Sequence, residues 1–335
     1  CHKAGLKLIT DLVPNHVSPG CGDVPTLPCC DYDWTDTRKI DYSNPEAWQA
    51  MKRIALFWAG LGVDGFRCDM VELVPREFLA FLTGEVRKSH RGFIFIGEAY
   101  DKANYRPLLD AGFDLLYDKS GFYDTVRAII AEGRSARELS SGWQRLGDMQ
   151  PRMLNFLENH DEQRLASPFF AGSPEKGYAA LAYGALFNNA SFMLYAGQEL
   201  GEAAPESQDG RTSIFNMVRV GSLQDTPLPH KGNAVLKRYR RILSLASRVQ
   251  PLPNWDLCYC NEGSPGFNPC RHSAFVRYGE DSAVVVFCNF SDVPAKAEIR
   301  IPEELNSRCG GALPGSVTLM AAPWDAGIKE ILLHL

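Results

Sequence analysis

Asp11-Leu12-Val13-Pro14-Asn15-His16, Gly65-Phe66-Arg67-Cys68-Asp69, Phe95-Ile96-Gly97-Glu98 and Phe156-Leu157-Glu158-Asn159-His160-Asp161 share one pattern. In each, apolar residues that read as a buried strand end abruptly in carboxylates, Asn, His or Arg. Continuous apolar runs, rather than alternation, mark strands covered on both faces, as in parallel sheets. The fold that gathers ionisable strand ends on one rim is the parallel α/β barrel. Three of the tips present an acid there: Asp69, Glu98 and Asp161.

Working outward from these segments, the chain alternates strand and helix. Residues 6–12 read as the first strand. Residues 17–40, rich in Pro, Gly, Asp and Cys and without a period, read as a loop excursion. Asn44-Pro45 then starts a helix, with Asn as cap and Pro in the first turn. Trp48, Met51, Ala55 and Trp58 follow at helical spacing, and Gly60 and Gly62 end it. Both Trp are assigned to the core. Strands are expected at 63–68, 93–96, 113–117, 153–157 and 192–195. Helices are expected over 75–89, near 121–132 and over 175–189, and an amphipathic stretch over 235–246. Such alternation means a parallel sheet.

Pro251-Leu252-Pro253 breaks the alternation. Short β-type runs follow at 274–278, 283–289, 297–301, 316–320 and 328–333, with no convincing helix. Residues 251–335 therefore read as an all-β domain behind a barrel domain over 1–250. The chain has 335 residues, 45% apolar and 22% charged, which is ordinary for a globular protein. Its net charge of −5 argues against nucleic acid and anionic membrane partners, which favour basic patches. No apolar run approaches the roughly 18 residues of a membrane helix. Cys21, Cys29 and Cys30 fall in one Pro/Gly-rich loop, and Cys258, Cys260 and Cys270 in another. This clustering suits disulfides or free thiols equally and lacks zinc spacing. Compartment and oligomeric state stay open.

Acids gathered at one rim are the raw material of glycosidic bond chemistry. With retention, that chemistry needs a carboxylate nucleophile and a protonated carboxylic acid roughly 5–5.5 Å apart. In their order, the four segments resemble the signature regions of the α-amylase superfamily, glycoside hydrolase family 13, on the third, fourth, fifth and seventh barrel strands. The resemblance runs from residue 1 to the chain end. It implies a partial (β/α)8 TIM barrel, strands 3 to 8, with a C-terminal all-β sandwich domain.

Carried over residue by residue, the resemblance makes Asp69 the nucleophile, Glu98 the acid/base and Asp161 the third carboxylate, which holds sugar hydroxyls. His16, Arg67 and His160 would bind substrate, and Asp11 would be the buried acid that braces Arg67. The implied activity is retaining cleavage of α-1,4-glucosidic bonds in starch or maltooligosaccharides through a covalent glycosyl-enzyme. Transglycosylation by the same residues is the alternative, with a sugar hydroxyl replacing water in the second step. From another class comes a non-catalytic barrel acting as a binding module, which the presence of all three acids disfavours.

The neighbours fit these roles. Arg67 stands two residues before Asp69, so both point to one side of a strand, and a guanidinium there is expected to keep Asp69 ionised. A structural ion pair at the rim is compatible with that. Glu98 follows Phe95-Ile96-Gly97, an apolar approach that suits an acid required to hold its proton.

The sequence also departs from the family pattern. Where α-amylases often carry Lys-His three and four residues after the nucleophile, this chain has Glu72 and Leu73. Asn15 matches a calcium-ligand Asn, but residues 17–40 offer no further ligands that can be named. No cofactor is therefore implied, and a structural calcium at Asn15 is left open. The segments Tyr195 to Glu199 and Asp209-Gly210-Arg211-Thr212-Ser213 resemble parts of the same rim. Tyr42, Tyr100 and Trp143 are the aromatic candidates for stacking on sugar. The family has two further barrel strands ahead of residue 6, so a chain opening at Cys1 reads as a barrel lacking its N-terminal part. Cytoplasmic, periplasmic and secreted locations all remain open.

Overall fold

The computed structural model describes residues 1–187, 189–213 and 233–333; residue 188, within the expected helix over 175–189, lies outside these. The chain divides into two compact units, Cys1–Asp118 and Lys119–Leu335.

The first unit begins with β1 (Ile9–Leu12), followed by β2 (His16–Val17) and β3 (Arg38–Lys39). β2 and β3 pair antiparallel, His16 opposite Lys39, and so close the base of the loop excursion. α1 (Pro45–Gly60) starts as expected, with the Asn44 side chain accepting the Glu46 N–H and Pro45 in the first turn. Then come β4 (Gly65–Cys68), α2 (Arg76–Ser89), β5 (Ile94–Gly97), α3 (Tyr105–Asp110) and β6 (Leu115–Tyr117).

β1, β4, β5 and β6 pair in that order and all parallel. Asp11 lies opposite Arg67, and Arg67 opposite Ile96. Paired residues share a face and alternate residues return to it. This register therefore sets Asp11, Arg67, Asp69 and Glu98 on one side of the sheet.

One assignment to the core fails. The stripe of α1 that packs inward is Ala47, Met51, Ala55 and Ala59, with Ala50 beside it. Trp58 precedes Ala59 by one residue, about 100° around the helix. It is 45% exposed and packs edge-on against Phe57. Trp48 is partly buried against Phe78 and Phe81, with its Nε1–H donating to the Tyr42 carbonyl.

The second unit contains α4 (Asp124–Glu132), α5 (Arg137–Leu146), β7 (Met153–Phe156), α6 (Tyr178–Leu186), β8 (Ser191–Met193) and α7 (Ala234–Val249). β7 and β8 pair parallel, so the six expected parallel strands are present, four in the first unit and two in the second. α5 was not expected. Its buried face includes Ser140 and Gly142 beside Leu139 and Leu146, so the apolar period is broken where it would have been read.

The unit continues with β9 (Asn254–Asp256), β10 (His272–Tyr278), β11 (Ser282–Asn289), β12 (Ala295–Arg300), α8 (Glu303–Arg308), β13 (Ser316–Ala321) and β14 (Ala326–Leu332). β14, β11, β10 and β9 form an antiparallel sheet in that order, and β12 pairs with β13. Val276, Val285 and Phe287 from the first sheet and Ile299, Val317 and Leu319 from the second share one core, as in a β sandwich. α8 is a helix that the reading of this region as purely strand did not anticipate. The expected boundary at 250/251 falls inside this unit, between α7 and β9.

Arg277 of β10 is fully buried and donates to the carbonyls of Leu186, Val249, Gln250 and Leu252. It thereby ties β10 to the C-terminal ends of α6 and α7, where unsatisfied carbonyls collect. All ten cysteines are free thiols.

The first unit has one steric checkpoint. A Cβ on Gly65 would stand 2.5 Å from the Ile94 carbonyl oxygen and 2.6 Å from the Ile9 side chain. β1 and β5 therefore close on β4 only over a glycine. Gly65→Ala is expected to lower stability by about 1–3 kcal/mol, read as a reduced midpoint in chemical denaturation.

Candidate active site

Arg67 is the hub of the first unit's polar face. Its Nη1 donates to Asp69 Oδ1 at 2.8 Å and to Asp11 Oδ1 at 3.1 Å. Its Nη2 stands 2.9 Å from Glu98 Oε1, an ion pair off the line of a hydrogen bond. The guanidinium also faces the Tyr117 ring at 5.6 Å. Glu98 is almost wholly buried. Its Oε2 accepts the Met70 N–H at 2.9 Å, and its Oε1 accepts the Tyr100 hydroxyl at 2.8 Å. Glu98 is thus met by an amide, a phenol and a guanidinium as well as by the apolar approach read from its strand.

Two features around this cluster were not legible beforehand. Met70, directly after Asp69, holds φ at +44°, a left-handed conformation that strains a non-glycine residue by about 1–3 kcal/mol, and its N–H is the one received by Glu98. Glu72, which stands where the family often has Lys, accepts the N–H groups of Tyr100 and Asp101 and the Asn104 amide, at 3.0, 2.9 and 2.9 Å. The departure from the pattern thus organises the loop that carries Tyr100.

The electrostatics differ from the expectation built on Arg67 alone. Burial and then the Glu98 carboxylate push Asp69 up to about 6, against the pull of Arg67. For Arg67, burial acts to lower its pKa. Glu98, Tyr117, Asp11 and Asp69 outweigh burial and raise it, so it stays cationic. Asp11 does brace Arg67, but its side chain is 59% exposed, not buried as the resemblance implied. β1 pairs with β4, and its burial is only partial along Ile9 to Asp11.

His16 sits on the loop's basal ladder. Burial lowers its pKa in spite of Asp31 and Asp36, which favours the neutral ring. Asn15 is buried, and its Nδ2 donates to Asp31 Oδ2 at 2.9 Å. Asp31 also pairs with Lys39 Nζ at 2.7 Å. Asp31 thus joins the Asn15 amide and the Lys39 ammonium at the base of the loop. Among the described residues, no group of three or more His, Cys, Asp or Glu is placed to hold a metal.

Of the aromatic candidates, Tyr100 touches the acid cluster. Tyr42 packs on Phe78 at 4.1 Å and gives its hydroxyl to the Pro14 carbonyl. Trp143 packs on Phe187 at 4.9 Å.

The second unit carries His160 and Asp161 just beyond β7. Asn159 Oδ1 accepts the N–H groups of Asp161 and Glu162, shaping the turn. His160 Nε2 lies 3.1 Å from Asp161 Oδ2. A buried network that the sequence reading passed over supports this turn. Arg164 donates to Glu158 Oε2 at 2.8 Å and to Thr212 Oγ1 at 2.8 Å, and its guanidinium lies 3.9 Å from the Tyr195 ring. Burial raises Glu158 to about 7, opposed by Arg164 and the Leu165 N–H. Arg211 Nε donates to the Asp161 carbonyl at 2.7 Å, and the Arg164 N–H to the Gly210 carbonyl at 2.7 Å. The segment 209–213 is therefore laced to the Asp161 turn. No local sequence pattern marks this network, because Arg164 meets Thr212 across 48 positions and Arg211 meets Asp161 across 50.

This chain belongs to the α-amylase family: residues 31–224 match the alpha amylase catalytic domain. It is 30% identical over 324 residues to the alpha-amylase MalA of Haloarcula japonica, covering 88% of this chain and 44% of that protein. It is 28% identical over 172 residues to an alpha-1,4-glucan:maltose-1-phosphate maltosyltransferase of Cereibacter sphaeroides, covering 51% of this chain and 27% of the relative. The chain thus spans less than half the length of these relatives. Among solved structures, the Geobacillus thermoleovorans alpha-amylase complexed with acarbose matches with a TM-score of 0.74 at 18% identity, over 98% of this chain and 78% of that one. The cyclomaltodextrin glucanotransferase CldA matches with a TM-score of 0.74 at 14% identity, over 99% and 76%. The fold is the partial barrel with a C-terminal β domain that the four segments implied.

Two outcomes follow from this geometry. The folded chain holds the Asp69 proton to about pH 6, whereas the unfolded chain releases it near pH 4. Asp69 therefore withdraws stability as pH rises from about 4 to 6, with no further loss above that. Asp69→Asn should gain thermal stability over the wild type across that interval and keep a constant lead at higher pH. Glu72→Ala leaves three donors without their acceptor and should lower stability by about 1–3 kcal/mol. Thermal melts of the variant and the wild type measure this loss.

Proposed function

We propose that this chain carries retaining α-glucosidic chemistry and cleaves α-1,4 bonds of starch or maltooligosaccharides. The observation that supports this best is one guanidinium contacting both Asp69 and Glu98. In the first step an Asp69 oxygen attacks the anomeric carbon, and the bond to the leaving oxygen breaks. Glu98 gives that oxygen its proton. In the second step water attacks the same carbon, Glu98 takes the water's proton, and Asp69 is released. For Glu98 Oε1 to reach the leaving oxygen, the Tyr100 hydroxyl that donates to it must give way. Asp161 takes the part of the third carboxylate, with His16 and His160 as hydroxyl partners, on the family resemblance.

Transfer rather than hydrolysis is the second reading, favoured by the likeness to maltosyltransferases and to a trehalose synthase/amylase of Mycobacterium tuberculosis. The same two steps apply, with a sugar or phosphate oxygen replacing water.

A fluorinated α-glucosyl donor should label Asp69, and a label on Glu98 or Asp161 overturns the assignment. Glu98→Gln should lose roughly 100-fold or more on starch and far less on an aryl glucoside whose leaving group needs little protonation. Products from maltoheptaose then separate the readings, since hydrolysis yields only shorter chains while transfer also yields longer ones.

A further inference from the structure

We propose that Tyr32 and Trp34, on the loop between β2 and β3, form a binding platform for an α-glucan chain, extending outward from His16. The proposal rests on the α-glucan reading above and adds a site that the reading does not contain.

Tyr32 is 71% exposed and holds φ at +50°. A bulky residue in the left-handed region is strained, and water contact returns little burial energy for that strain. The loop around it is firmly held. Asp31 is tied to Lys39 at 2.7 Å and to Asn15 at 2.9 Å, the Leu27 N–H donates to the Lys39 carbonyl, and the Lys39 N–H donates to the Cys29 carbonyl. The Trp34 N–H returns to the Asp31 carbonyl at 3.2 Å, and Thr37 Oγ1 donates to the Trp34 carbonyl at 2.8 Å. A strained, solvent-facing aromatic on a fixed loop points to recognition rather than packing.

The rings also run in sequence. Tyr32 and Trp34 have centroids 4.9 Å apart at 57°, and Trp34 and His16 are 5.4 Å apart at 55°. Trp34 is half-buried and buttresses both neighbours. A pyranose presents apolar C–H faces ringed by hydroxyls, which suits amphipathic Tyr and Trp surfaces. Exposed Asp33 and Asp36 on the same turn can accept from those hydroxyls, and with Asp31 they disfavour anionic ligands.

The test compares the full chain with Tyr32→Ala, Tyr32→Phe and Tyr32→Gly on maltotriose and maltoheptaose. Affinities are measured calorimetrically in an Asp69→Asn background and kcat/KM in the otherwise unaltered chain. Tyr32→Ala should bind maltoheptaose roughly 3- to 10-fold more weakly, with a smaller loss on maltotriose, and Tyr32→Phe should keep most of the affinity. Tyr32→Gly should lose affinity like the Ala variant while its Tm holds or rises, because glycine tolerates positive φ. Wild-type affinity in Tyr32→Ala overturns the platform, as does an equal loss on both sugars or a lowered Tm in Tyr32→Gly. If the wild-type chain neither binds nor cleaves either sugar, the α-glucan reading itself fails and the platform falls with it.

Discussion

One guanidinium set against three carboxylates organises the first unit. Arg67 reaches Asp69, Asp11 and Glu98 together, so a single positive charge faces more negative charge than it can balance. The surplus, added to burial, is why Asp69 sits at about 6 rather than in the ordinary carboxylate range. The surrounding structure exists to hold this arrangement. Gly65 lets β4 approach both neighbours, the strained Met70 turns its N–H onto Glu98, and Glu72 fixes the loop that carries Tyr100.

The second unit solves a similar problem in another way. Glu158 and Arg164 form an ion pair with side chains 2% and 0% exposed. Such a pair contributes little net stability, yet leaving either charge alone would cost several kcal/mol, on the order of 3–5. It also shapes the chain. Arg164 reaches across to Thr212, and Arg211 reaches back to the Asp161 carbonyl. Gly210 allows this lacing, since a Cβ there would stand 2.5 Å from Ser167 Oγ, and its φ is +81°. The turn bearing His160 and Asp161 is therefore held by two arginines working in opposite directions.

The loop over 17–40 joins β2 to β3. Its composition shows no period, and the sequence reading treated it as an excursion. In the fold it is pinned at its base by β2 and β3 and internally by Asp31, Lys39 and Asn15. Lys39 pairs with Asp31, and Tyr32 is carried outward on a strained backbone. Short-range composition marks such a segment as a loop but carries no information about which of its groups will meet.

The residues by themselves determined the order of the six parallel strands, the positions of Asp69, Glu98 and Asp161 beyond their strand ends, and the strand-rich character after residue 251. Apolar runs, caps and prolines act over a few residues, so they can be read along the chain. Tertiary structure alone decided that Asp11 would be exposed, that Trp58 would face water while Ala47, Met51, Ala55 and Ala59 packed inward, and that Tyr100 rather than Tyr42 or Trp143 would touch the acids. It likewise decided the pairing of Met70 with Glu98 across 28 positions. Contacts of that range depend on sheet register and on which face each neighbour leaves open, and neither is encoded within any one segment.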